Sequence, residues 1–414
     1  MSPDPDQEYF SDGLTEEIIT DLSHIHDLLV ISRNSAMTFK GTKKKTKEIA
    51  SDVNVKYVLE GSVRKSGNNI RIVAQLIDAF TDVHIWAEKY SGTLDDMFDI
   101  QERVSCSITE ALKMKLFSYE RKYTPNLKSY DLYLLGRFYW NKRTKDGLQK
   151  SIEYFEQAIE ADKDFALAYA GLADVYQVCA DWNYLLPDTA TQKAKEYIQK
   201  ALSLNQNIPE VYATLGAIET NFKGASGKAE SYFKTALSIN PNYASAYQWN
   251  ALLFTINGQF DKAIDYMNQA LRLDPLSAII HLAFGLVYYY SKSYDKAIVK
   301  FTDTLKLDPE FPLVRYNMSI CFFLKGAISE AIDAYQKELG TRTADVENRV
   351  NLLENYKESG NNGLLDLLIN LEISYPEPST RRLAIFYALK GDKQKALDYI
   401  EYNIDNLVSE YMYI

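Results

Sequence analysis

The sequence predicts a small α/β (or α+β) region followed by an all-α superhelix, an α-solenoid of stacked helical hairpins. Three observations carry that prediction. Strand and helix patterns are mixed up to about residue 117, and strand patterns stop after about Tyr130. Beyond that point side chains recur at a fixed step of 34 residues: Ala229, Ala263, Ala297 and Ala331; Phe233, Met267, Phe301 and Tyr335; Pro241, Pro275 and Pro309. The 414 residues are 46% hydrophobic and 25% charged, a globular composition with enough apolar material for a buried core.

The elements follow in order. TEEIITDLSHI has apolar residues at helical spacing, with Thr15 as the expected N-cap and acids in the first turn. LLVISR (28–33) reads as a strand and TKEIASDV (46–53) as a short helix. Two β-rich runs flank SGNN, a turn-rich tetrapeptide placed for a hairpin, and VHIWAEKY (83–90) alternates with period two. A sheet of at least four strands is expected. MFDIQERVSCSITEALKMKL (97–116) closes the region as an amphipathic helix.

Each recurring column has a packing reason. The alanine sits where the second helix of a hairpin crosses the first, so a small side chain permits close approach. The large residue four positions later lies on the same helical face and fills the space between hairpins. Proline cannot continue a helix interior and marks the turn to the next hairpin. Units near 209–242, 243–276 and 277–310 are regular; a fourth, near 311–344, has Thr343 where the proline would stand. Two degenerate units precede them, giving about six over 125–344, and 345–414 reads as degenerate hairpins with a cap around Ala384 and Ala396. A 34-residue helix–turn–helix unit resembles the tetratricopeptide repeat.

EYFSDGLTEEIITDLS, VKYVLEGSVRKSGNNIRIVAQLIDA and HIWAEKYSGTLDDMFDIQERV together resemble the TolB N-terminal-like domain over nearly all of residues 3–116. The resemblance implies a domain spanning 1–117 that lacks the family's first strand, hence a fragment. It also implies the sensory or docking half of a bacterial signalling protein. Relatives so arranged commonly carry an upstream cyclase, winged-helix or kinase domain.

Composition narrows function further. A net charge of −10 does not favour nucleic acid as the main partner. Cys106, Cys179 and Cys321 are odd in number and far apart, which argues against a disulfide framework and a cysteine-based zinc site. No apolar run approaches the ~18 residues a membrane span needs, and the N-terminus lacks signal-peptide character. The chain is therefore expected in the cytoplasm, or in the periplasm if a membrane helix precedes it. No phosphate-binding, hydrolase or metalloprotease motif is present, so neither enzymatic activity, a cofactor nor a metal is expected. His24 and His26 read as surface residues at a helix end, and KGTKKKTK (40–47) as a solvated loop with a phosphate-binding alternative.

In a tetratricopeptide superhelix the first helix of each hairpin lines the concave surface. Counting from Gly136, Ala173, Gly216, Ala251, Gly285 and Ser319 assigns groove positions to Tyr133, Arg137, Trp140, Asp174, Gln177, Thr220, Gln248 and Thr255. The same count gives Leu282, Leu286, Tyr289, Tyr316, Ile320 and Phe323. These six are apolar or aromatic: they form an apolar groove for a helix or peptide, or they pack on the degenerate C-terminal helices. The expected role is a non-catalytic protein-binding scaffold, with self-association possible. The alternative is a small-ligand-sensing region of an adenylate or guanylate cyclase or transcription regulator whose output domain lies elsewhere.

Overall fold

Pro5–Ser23 forms helix α1, whose sequence accounts for both of its faces. Phe10, Leu14, Ile18 and Leu22 recur every four residues and are buried, while Glu8, Asp12 and Glu16 take the same step on another face. Thr15 is not the N-cap expected of it. It lies mid-helix and its hydroxyl donates to the Ser11 carbonyl at 2.8 Å. The helix starts ten residues earlier, at Pro5, because a first-turn amide has no intrahelical partner to lose.

The computed structural model describes residues 5–93, 96–112, 126–142, 144–181, 184–223, 227–311, 313–342, 352–375 and 378–405. Thr343 and residues 113–116 of the expected closing helix lie outside the described residues. The chain divides into two compact units, residues 1–280 and 281–414.

In the first unit α1 is followed by α2 (Arg33–Met37), α3 (Thr46–Val53), β1 (Tyr57–Ser66), β2 (Asn69–Asp78), β3 (Val83–Thr93) and α4 (Met97–Ala111). The strands make an antiparallel sheet in the order β1-β2-β3. Ser66 pairs with Asn69, so the hairpin turns through two residues, and Gly67 supplies the positive φ of 59° that such a turn requires. Ile70, Ile72, Ala74 and Leu76 alternate into the core, where they meet the apolar stripe of α1 and Ile100, Val104 and Ile108 of α4.

The fourth strand expected at LLVISR is absent among the described residues. Its alternation is real, with Leu28 and Val30 packed on the core and Leu29 exposed. The segment is extended but unpaired with the sheet. The Val30 amide donates instead to the Asn242 side chain at 3.2 Å, and the Ser32 amide to the Leu273 carbonyl at 2.7 Å.

Helices α5 (Leu127–Asn141), α6 (Lys145–Ala161), α7 (Ala166–Asp181), α8 (Pro187–Leu204), α9 (Pro209–Lys223), α10 (Gly227–Ile239), α11 (Ala244–Ile256) and α12 (Phe260–Leu273) complete this unit as hairpins. Their columns pack for the reason the spacing suggests. Phe155 of α6 is fully buried between two glycines, Gly136 of α5 and Gly171 of α7. A Cβ on either would stand 2.5 Å from its ring. One large residue thus fills the seam between its own hairpin and the next. Phe233 meets Gly216 in the same way, and Ala229, Ala263, Phe233 and Met267 are all at 0% exposure.

The second unit holds α13 (Ala278–Tyr290), α14 (Tyr294–Leu307), α15 (Val314–Leu324), α16 (Ile328–Arg342), α17 (Leu352–Ile373), α18 (Thr380–Lys390) and α19 (Lys393–Asp405). Phe301 packs on Gly285, and Ala297, Phe301, Ala331 and Tyr335 are buried. Gly360, with φ 65° and ψ −164°, breaks α17 into two helical stretches. Leu364, Leu365, Leu368 and Ile369 of the second stretch form one cluster with Ile332, Leu383 and Phe386.

Candidate functional site

Helix α5 packs on α1, α7 and α9 border the same cleft, and Arg137 among the expected groove positions is engaged by the chain's own N-terminal residues. Gly13 permits the approach: a Cβ on it would lie 2.7 Å from the Leu134 side chain of α5. Arg137 donates from Nε and Nη2 to Glu16 Oε1 at 2.9 and 2.6 Å, and its Nη1 lies 3.8 Å from Asp174. The guanidinium also sits 4.4 Å from the Trp140 ring centroid. Burial opposes its charge, but Glu16, Tyr133 and Asp174 outweigh that and hold Arg137 above the usual arginine range. Arg33 Nε lies 3.1 Å from Glu16 in an ion pair, and Asn141 Nδ2 donates to Glu16 at 3.3 Å. Farther up α1, Tyr9 donates its hydroxyl to Asp131 at 2.9 Å.

These side chains border a narrow polar cleft lined by Glu16, Glu17, Thr20, Tyr133, Arg137, Asp174 and Glu210, among others. Tyr133 closes one wall while its ring packs at 5.2 Å on Phe165 and 5.8 Å on Phe155. Asp174 accepts the Thr214 hydroxyl at 2.5 Å.

The other predicted positions of this unit turn inward locally. Gln177 donates to Asp181 one turn on at 2.8 Å, and the Thr220 and Thr255 hydroxyls donate to the carbonyls of Gly216 and Ala251. Gln248 is buried. The structure therefore brings Tyr133, Arg137, Trp140 and Asp174 together and leaves Gln177, Thr220, Gln248 and Thr255 outside that cluster.

Leu282, Leu286, Tyr316 and Ile320 are buried in the second unit, and Tyr289 and Phe323 are partly covered. Tyr289, Tyr316, Ile320 and Phe323 share a cluster with Leu364, Leu368, Leu383 and Phe386. Of the two uses the sequence allows for these side chains, packing on α17 and α18 is the one this structure displays.

A second set of contacts, announced by no local sequence pattern, lies at the turns between hairpins. Asn240 donates to the Ser23 hydroxyl at 2.8 Å. Asn242 donates to the carbonyls of Ser23 and Leu28 at 2.8 and 2.9 Å and accepts from Val30. One repeat later Asp274 accepts the Ser35 hydroxyl at 2.5 Å and Asn34 Nδ2 at 3.3 Å. Asp274 is 3% exposed, and burial lifts its pKa above the usual carboxylate range against the lowering effect of the Ser35, Ser32 and Asn34 bonds. Asn240 and Asp274 stand 34 residues apart, each just before a proline of the repeat column. The basic run is partly consumed within this unit as well. Lys40 bonds Asp12 and Glu8 at 2.6 and 2.8 Å, and Lys44 bonds Asp52 at 2.7 Å.

Residues 244–275 and 282–345 match tetratricopeptide repeat family models. Over 222 residues the chain is 36% identical to "Putative adenylate cyclase 3" of Rhizobium meliloti (strain 1021), a match covering 52% of this chain and 38% of that one. It is 30% identical over 105 residues to "Transcriptional regulator HilA" of Salmonella typhimurium, covering 25% and 19%. The chain thus spans well under half the length of these curated relatives. A solved structure, "IFIT1 monomeric mutant" with Gppp-AAAA, aligns over 96% of this chain and 94% of its own with a TM-score of 0.50. At 15% identity that likeness shows the fold alone. Among the described residues no helix is long and apolar enough to cross a membrane.

Proposed function

We propose that this chain is a non-catalytic protein-interaction scaffold, the docking half of a bacterial signalling protein, whose tetratricopeptide groove is built to hold an amphipathic helix. The observation that carries the reading is the Glu16–Arg137 ion pair. The concave helices already hold one amphipathic helix, α1, through a charge-assisted two-bond contact beneath an apolar stripe. In this reading α1 anchors an N-terminal α/β domain over 1–117, of the TolB-like kind, to the array over 125–344, with 345–414 as its cap. Tyr133, Arg137, Trp140 and Asp174 read the helix. Gln177, Thr220, Gln248 and Thr255 support the same inner wall, whereas in the second unit Tyr289, Tyr316, Ile320 and Phe323 pack on the chain's own C-terminal helices. A partner helix that competes with α1 needs its own carboxylate opposite Arg137.

Chemical cross-linking of the purified chain to candidate signalling partners, with wild type and Glu16→Lys, tests this. Repelling α1 from Arg137 raises capture of a groove-binding helix. Equal capture by both proteins refutes groove binding, and conversion of ATP or GTP to a cyclic product by the purified chain refutes the non-catalytic reading.

A second reading takes the narrow polar cleft between α1 and α5, α7 and α9 as a sensing site. A small ligand there would alter how α1 seats, and the chain would be the ligand-sensing region of an adenylate or guanylate cyclase or transcription regulator. The two relatives named for such activities support it, each over only part of its length.

A further inference from the structure

The outer face of the last helix, α19, is an apolar seam position with no hairpin beyond it among the described residues. Along the array the residue four after the column alanine is sealed: Phe233, Met267 and Phe301 are at 0% exposure and Tyr335 at 4%. Phe155 shows what seals such a residue, since it lies between the glycines of its own and the following hairpin. In the last hairpin the column alanine is Ala396, 5% exposed, and the residue four later is Ile400, 41% exposed. Leu397, on the same side, is 51% exposed. The surface is shaped for one more tetratricopeptide helix.

Charge says which helix. Lys393 and Glu401 lie four residues either side of Leu397, on one ridge of α19, and among the described residues neither makes an ion pair. An antiparallel copy of α19 crossing at Leu397 sets Lys393 of each copy opposite Glu401 of the other.

We propose that two copies of this chain associate through an antiparallel α19–α19 contact, with Leu397 on the twofold axis, Ile400 beside it and reciprocal Lys393–Glu401 pairs at its rim. This surface is separate from the groove. One helix per copy buries less than the roughly 800 Å² per partner of a standard interface, so a dissociation constant on the order of micromolar is expected.

Sedimentation velocity of the full chain across the micromolar range tests it. The expected result is a monomer–dimer equilibrium that Leu397→Glu abolishes, with far-UV circular dichroism unchanged because the site is exposed. Lys393→Glu or Glu401→Lys alone weakens association about tenfold or more, and the two together restore it. A wild type monomeric throughout, a dimer indifferent to Leu397→Glu, or a charge swap that fails to restore what its single changes weaken would each overturn the proposal. A monomeric wild type that melts lower with Leu397→Glu identifies the chain's own residues as the cover, and also overturns it.

Discussion

Replacing Arg137 by alanine probes the link between α1 and the inner helices at its centre. The side chain is 16% exposed and carries two hydrogen bonds to Glu16, an approach to Asp174 and a cation–π contact with Trp140. Removing one partner of a buried pair costs roughly 3–5 kcal/mol, because the other charge is left buried and unpaired. Here the cost falls at the low end, about 3 kcal/mol, since Glu16 keeps Arg33 and Asn141, and Asp174 keeps Thr214. That is about a hundredfold in the opening equilibrium of α1. Native-state hydrogen exchange resolved to α1 reads it directly and avoids assuming that a 414-residue repeat protein unfolds in one step. Glu16→Gln with Arg137→Met, which removes both charges at similar volume, costs much less than the sum of its single changes. If Arg137→Ala changes the exchange of α1 by less than about 0.5 kcal/mol, the pair does not anchor the helix and the groove reading loses its basis.

Four further outcomes follow from the same contacts. Asn242→Ala strips three backbone hydrogen bonds from residues 23–30, so limited proteolysis cuts faster near Leu28–Ser32; the expected loss is about 2–3 kcal/mol. Gly285→Ala drives a methyl to 2.3 Å from the Phe301 ring and costs about 1–3 kcal/mol in thermal melting. Because the folded-state pKa of Asp274 is raised, its contribution to stability is full below the ordinary carboxylate pKa of ~4 and is lost as pH rises through the raised value. Exchange around Ser35 should therefore slow relative to Asp274→Asn as pH falls, and an identical pH response in both proteins refutes the assignment. Burial pushes the Cys179 and Cys321 thiols up to about 11 and about 12, so alkylation at pH ~8 reaches both only on unfolding, while half-buried Cys106 reacts first.

The repeat packing was legible because it is periodic. A column such as Ala229, Ala263, Ala297 and Ala331 repeats one local geometry, and the ring of Phe301 on Gly285 is what the spacing encodes. The short helix at 46–53 and the hairpin turning at Gly67 were legible from local pattern and turn residues. What stayed hidden is long-range. Ser23 meets Asn240 across 217 residues and Ser35 meets Asp274 across 239, and no local pattern records such pairs. That blindness produced the misread strand at Leu28–Arg33. Its alternating burial suits an extended chain, but side chains and a carbonyl of distant turns take the place of a neighbouring strand. Arg137 and Asp174 were singled out by counting along inner helices, yet nothing in the acids of α1 marked Glu16 as Arg137's partner over its neighbours.

The two turn residues Asn240 and Asp274 work as notches on a ruler. The stretch from Ser23 to Ser35 is cut to the pitch of a single hairpin, touching one notch at each end. Arrays of this architecture tolerate gain or loss of whole units when each contacts only its neighbours. This one cannot change the number of hairpins between Asn240 and Asp274 without tearing the N-terminal segment off one notch or the other, so there the repeat number is locked by a strap that is not itself a repeat.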